Sequence, residues 1–142
     1  MKTRLTFGLI VMMFVLSIPV IASGEGELQK YFNKTAKEVK ATEDASAKRE
    51  ILNESFTNMI KVLNKVQNSG MISEEESKGV GNFKTSIQEK QDELNGKNGF
   101  KKVADSQLNN FADYTVQDIE QANITISLVA LVLIVILLVL IL

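Results

Sequence analysis

The 142-residue chain contains no histidine, no cysteine and no tryptophan. Without histidine it lacks the side chain that most often moves protons near neutral pH. Without cysteine it lacks a thiol nucleophile, a disulfide and most transition-metal ligand sets. A lipid-attachment cysteine is excluded on the same count, and stability has to come from packing alone. Proline occurs once, as Pro19, so beyond that position no residue breaks a helix by removing its N–H. Large apolar residues are sparse in the middle of the chain: from Glu25 to Asn123, Leu, Ile, Val and Phe number 21 of 99, close to the ~20% below which chains tend toward disorder. Over the same stretch 14 basic residues face 17 acidic ones, so no strong net charge swells the chain and no basic excess points to nucleic acid.

The two ends are apolar. Ile124–Leu142 reads ITISLVALVLIVILLVLIL, nineteen residues without a charge, and from Leu128 onward every residue except Ala130 is Leu, Val or Ile. As a helix rising 1.5 Å per residue such a run covers roughly 28 Å, near the ~30 Å hydrocarbon thickness of a bilayer, and the expectation is a C-terminal transmembrane helix. At the other end Lys2 and Arg4 precede the apolar run Leu5–Leu16, which Pro19 breaks ahead of the small residues Ala22, Ser23 and Gly24. That layout is a secretory signal peptide over residues 1–24. The alternative is an uncleaved signal anchor over Leu5–Ala22, diluted by Gly8, Ser17 and Pro19. In both cases residues 25–123 lie on the exported, periplasmic or extracellular side, held to the membrane by residues 124–142. A glycolipid-anchor signal also ends in an apolar tail, but it needs three small residues ahead of a polar spacer of about 8–12 residues. Here Asn110 is followed by Phe111 and Ala112-Asp113 by Tyr114, while Ala104-Asp105-Ser106 lies too far upstream. Asn33, Asn53 and Asn123 each open a glycosylation acceptor triplet, which an Asn-, Ser- and Thr-rich chain yields by chance.

The exported part carries helical periodicity. Leu28, Tyr31, Phe32, Ala36 and Val39 share one face of a first helix whose other face holds Lys30, Lys34, Lys37 and Lys40, a solvated surface. Ala41–Glu50 has no large apolar residue and is either an exposed continuation or a short break capped by Asp44 or Ser46. From Ile51 the pattern sharpens: Leu52, Phe56, Met59, Ile60, Leu63 and Val66 step by threes and fours, the strongest core signal in the chain. Asn68-Ser69-Gly70 ends that helix, and Ser73-Glu74-Glu75-Glu76 opens the next with a capping box. Val80, Phe83, Ile87 and Leu94 form its inward stripe. Gly79 and Gly81 mark a loose turn or a close helix crossing, not a phosphate loop, because the strand and the full glycine spacing are missing. Asn95-Gly96 and Asn98-Gly99 reverse the chain a second time. After Gly99 there is neither Gly nor Pro, and the expectation is one continuous helix from about Phe100 to Leu142, its upper part packed through Val103, Leu108, Phe111 and Ile119 on the Leu52–Val66 stripe.

The fold expected is all-α: a lean antiparallel helical bundle or helical hairpin whose last helix continues into the membrane. Its candidate interaction or core stripe is Leu52, Phe56, Met59, Leu63, Val66, Leu108, Phe111 and Ile119. No catalytic, cofactor-binding or metal-binding residues are assigned; the acidic runs Glu74–Glu76 and Glu89–Glu93 read as helix faces. The function expected is that of a membrane-tethered structural or protein-interaction module, not an enzyme, with the membrane and either a second copy or another exported protein as partners, and no nucleic acid or small-molecule substrate. The alternative is a small membrane-active protein forming a pore through its apolar ends, for which Thr125, Ser127 and Ala130 supply only a short polar or small-residue seam.

Overall fold

The computed structural model of the chain describes residues 25–122 and 126–141, and every regular element among them is helical. In order these are α1 (Glu25–Ala41), α2 (Ala45–Asn68), α3 (Glu74–Asn95), a 3-10 turn (Asp105–Gln107), α4 (Leu108–Ala122) and α5 (Leu128–Ile141). The proposed signal peptide lies outside the described residues, as do residues 123–125 and 142 of the apolar run.

Local chemistry explains most of the boundaries. Residues 42–44 break the chain between α1 and α2, and Asp44 is the cap: its carboxylate accepts the Ala47 N–H at 3.0 Å. α2 ends at Asn68, and the turn that follows uses Gly70 at φ 73°, a conformation open to glycine at little cost. The capping box of α3 is formed in both directions. The Glu76 N–H donates to Ser73 Oγ at 3.1 Å, and the Ser73 N–H donates to Glu76 Oε1 at 3.0 Å. Gly96, at φ 70°, closes α3, with the Lys97 N–H reaching back to the Asp92 carbonyl at 2.8 Å.

The buried side chains form one continuous core. α2 is its hub. It packs along α1 on one side and α3 on another, receives α5 on a third, and meets α4 at fewer points. Polar pairs fix the directions. Asn53, Thr57, Asn64 and Gln67 of α2 are tied to Asn95, Gln91, Lys84 and Ser77 of α3 respectively, so the two helices run antiparallel. Gln67 lies across Gly81, where a Cβ would come within 2.9 Å of the flexible end of that side chain, and no backbone atom of α2 comes as near. Between α1 and α2 a small buried hydroxyl seam replaces apolar contact. Tyr31 donates to the Ser55 carbonyl at 3.0 Å, and Thr35 and Ser55 hydroxyls meet at 3.0 Å. Burial pushes the Tyr31 phenol far above its usual range, against the opposing hydrogen bond to Ser55, so it stays a neutral donor.

Two sequence expectations are corrected. The single helix from Phe100 to Leu142 does not form. Asn98 and Gly99 sit at positive φ, residues 100–104 are non-helical, and α4 starts only at Leu108. The reason is a cross-chain clamp. The Arg49 guanidinium, 14% exposed, donates to the Leu94 carbonyl at 2.7 Å, to the Val103 carbonyl at 2.8 Å and to Asp105 Oδ1 at 2.9 Å, holding the connection in a bent path. Phe100 is consequently 41% exposed rather than part of an inward stripe. At the lower end Ile126 and Ser127 are non-helical and Ser127 starts a new helix, so α5 is not the continuation of α4.

The membrane span is not confirmed: among the described residues no helix is long and apolar enough to cross a membrane. The described part of the apolar run, α5, holds 14 residues and rises about 21 Å at 1.5 Å each. The second correction concerns packing. α4 lies mainly against α1, not along the α2 stripe; of the expected packing residues Phe111 meets α2, edge-on to Phe56 at 6.3 Å between ring centres.

Candidate functional site

The eight residues of the expected stripe all lie in the core. Leu52, Phe56, Met59, Leu63 and Val66 line α2, and Leu108, Phe111 and Ile119 line α4, none more than 5% exposed. They stabilise the molecule and offer no surface to a partner while it stays folded this way. Val62, absent from the expected stripe, is buried with them. The hydroxyl seam and the Arg49 clamp were also missed. The seam left no apolar signal, and Arg49 acts on partners 45 to 56 residues away, which no local pattern encodes.

Charged side chains tie α4 to the other helices. Lys40 of α1 meets Asp113 at 2.6 Å, Lys48 of α2 donates to Asn109 at 2.8 Å, and Lys90 of α3 pairs with Asp118. Lys90 also sits 5.9 Å from the Phe111 ring centre, over its face. Burial alone would depress the Lys90 ammonium, but Asp118 and Glu93 outweigh it and the net shift is upward. The acidic face of α4 is thus turned to lysines of its neighbours.

Between α2 and α3 an open groove of about 500 Å³ is lined by Thr57, Ile60, Lys61, Gln88, Gln91, Asp92 and Asn98. Two of its amides are engaged: Gln91 donates to Thr57 Oγ1 at 3.0 Å and Asn98 to Asp92 at 2.7 Å. Asn53, the second acceptor triplet, is likewise half-buried and bonded to Asn95 at 2.7 Å, which leaves its amide no room for a glycan. Nothing in this groove pairs a nucleophile with a base. Among the described residues no group of three acids stands close enough to hold a metal ion.

The element that departs from globular chemistry is α5. Thirteen of its 14 residues are Leu, Val or Ile and the other is alanine, so it has no polar face to give to water. It packs on α2 and touches α1, burying Ala130, Leu131, Ile134, Val135 and Leu138 along one stripe. The opposite side stays in water: Leu128 is 59% exposed, Val129 54%, Ile136 45% and Leu140 74%. An ordinary surface helix carries charged residues there.

The start of α5 is built from polar atoms. Ser127 Oγ accepts the Ala130 N–H at 3.2 Å as an N-cap and donates its own proton to Glu76 Oε2. Glu76 therefore serves two structures at once, Oε1 in the capping box of α3 and Oε2 at the foot of α5. Its carboxyl is held below the usual carboxylate range, first by the Ser127 hydroxyl and then by Ser73. Because Glu76 opens α3 beside the α2–α3 turn, α5 starts there and runs back along α2. No family model, curated protein or solved structure matches this chain.

Proposed function

We propose that the protein is a membrane-tethered interaction module: an exported antiparallel helical bundle over residues 25–123, held at the bilayer by the apolar run 124–142, with residues 1–24 acting as its secretory signal. The observation that carries this reading is the composition of α5, which presents Leu, Val or Ile in every direction although its seat on α2 covers only one stripe. Water is a poor environment for the remaining side, and each central Leu, Ile or Val transferred to a bilayer contributes roughly 0.3–0.6 kcal/mol. Residues 121–142 hold no Asp, Glu, Lys or Arg, so no side-chain charge within that stretch opposes insertion.

The head of the molecule, α1 to α4, supports an interaction role rather than catalysis. Its core is filled, most of its buried polar groups are paired, Glu27 Oε2 being the exception among the described residues, and its exposed apolar side chains are scattered, with Met71 67% and Tyr114 63% exposed. A partner, either a second copy or another exported protein, meets this outer surface and not the buried stripe. The test is extraction of membranes from cells making the full chain. Retention in the membrane fraction through alkaline carbonate treatment is expected, and release into the supernatant would remove the tether.

A further inference from the structure

We infer that α5 is a reversible anchor with two seats, the α2 face of its own head and a lipid bilayer, and that the Ser127–Glu76 contact latches it to the first. This rests on the tether reading and adds its regulation. Three independent observations converge on it. The docked helix buries Ala130, Leu131, Ile134, Val135 and Leu138 but leaves Leu128, Val129, Ile136 and Leu140 in water, so its seat is half complete. α5 begins as a separate helix and not as an extension of α4, because Ile126 and Ser127 are non-helical and α5 is capped afresh. No side chain within α5 can form a polar bond, so the segment's polar hold on the head falls at Ser127, whose hydroxyl donates to Glu76.

The bilayer is the occupant that fits the outer face. A hydrocarbon phase asks for no hydrogen bonds and no charges, and α5 offers none; a protein partner would meet a helix with nothing to set orientation or register. Docked, the helix masks the apolar α2 face and keeps itself out of the lipid. Inserted, it breaks the Ser127–Glu76 contact and uncovers that face. The chain therefore reports, through one helix, whether a membrane is within reach.

The absence of cysteine makes the test clean. A donor and acceptor dye pair is placed on Lys61→Cys of α2 and Leu140→Cys of α5, both exposed positions, in the otherwise intact chain. High energy transfer is expected in buffer, falling when vesicles of phosphatidylcholine and phosphatidylglycerol are added, with the protein floating alongside the vesicles. Flotation with unchanged transfer would overturn the two-seat mechanism while leaving the tether standing. No flotation at any lipid concentration would overturn both. Low transfer before lipid is added would show that α5 does not dock. Glu76→Gln keeps one carbonyl oxygen for the Ser73 N–H of the capping box but turns an amide NH2, which cannot accept the Ser127 proton, toward the foot of α5, and should lower the lipid needed for half-maximal change by about fivefold. An unmoved midpoint would mean that Ser127 and Glu76 do not latch the helix.

Discussion

The head and α5 are both helical, yet they solve the problem of burial in opposite ways. α2 gives its apolar residues to the core and keeps Glu54, Lys61 and Lys65 in water. Every buried polar group of the α1–α2 seam finds a partner within the head. α5 divides nothing: its inner stripe matches a core helix, and its outer surface matches the inner stripe. In the head, stability comes from the pattern of apolar and polar positions. In α5 the apolar residues are unpatterned, so only the inner stripe gains from burial and the outer face has no counterpart in the head. A patterned helix has one environment in which it is at rest, and an unpatterned one can be satisfied by two.

The strongest way to break this comparison is to attack the head. Phe56 is fully buried on α2 and meets Phe111 edge-on. Phe56→Ala should cost about 3–5 kcal/mol, read as a fall in urea midpoint without change in slope. A loss under about 1 kcal/mol would show that the core is too loose for the patterned reading to apply.

The next effect falls on α5 alone. Ile136 is 45% exposed in mid-helix, so Ile136→Lys changes the docked state little, whereas a lysine at the centre of a lipid-embedded helix costs about 2.5–3.5 kcal/mol. Unfolding of the head should be nearly unmoved and membrane retention sharply reduced. Equal retention of the variant would mean that the outer face of α5 does not meet hydrocarbon.

How much of this was legible in the sequence depends on the range over which each feature acts. The Ser73–Glu76 box, the glycine stop at Gly96 and the apolar face of α1 follow from residues within a turn or two of one another and are legible in the sequence, whereas the break at residues 42–44 is left open there between a continued helix and a cap by Asp44 or Ser46. The bend after Gly99 is not legible, because the absence of glycine and proline beyond it favours helix. Between Lys97 and Gln107 only Phe100 and Val103 are large and apolar, too little to reward a helical turn with burial. Arg49, which holds that bend, is indistinguishable in sequence from any lysine or arginine on a helix face. The pairing of α4 with α1 was equally hidden, since an apolar stripe states that it will be buried and not against what.

Arg49 gives the third test, of a size just below the first two. Arg49→Met keeps the apolar stem but leaves the Leu94 and Val103 carbonyls without their donor, at a cost of about 2–3 kcal/mol. Arg49→Lys should recover only part of it, because a single ammonium cannot span two carbonyls and Asp105 as the planar fork does. Hydrogen exchange should rise over residues 97–107 in both variants. Exchange rising first in α5 instead would tie the bend to the docking of the anchor, and the head and α5 would then be less separate than their packing suggests.

The smallest effect is a pH dependence at the one residue the two regions share. The pKa of the Glu76 carboxyl is lowered from its ordinary value, chiefly by the Ser127 hydroxyl and further by Ser73, so its ionised form is favoured by folding. A depressed carboxyl contributes stability that is present above its unfolded value and is lost as pH falls through the lowered folded value. Acidification from neutral pH should therefore weaken the α3 cap and the foot of α5 together, and only once the ordinary carboxylate range is passed. Glu76 lies at the surface, where solvent screens the charge, so the change belongs below the other three. The measurement is the difference in urea midpoint between the native chain and Glu76→Gln, followed downward in pH. It should narrow in acid, because the amide has no proton to gain while the carboxylate does. A difference that stayed constant through that range would place the contribution of Glu76 in the shape of the capping box, and the charge would have no part in holding α5 to the head.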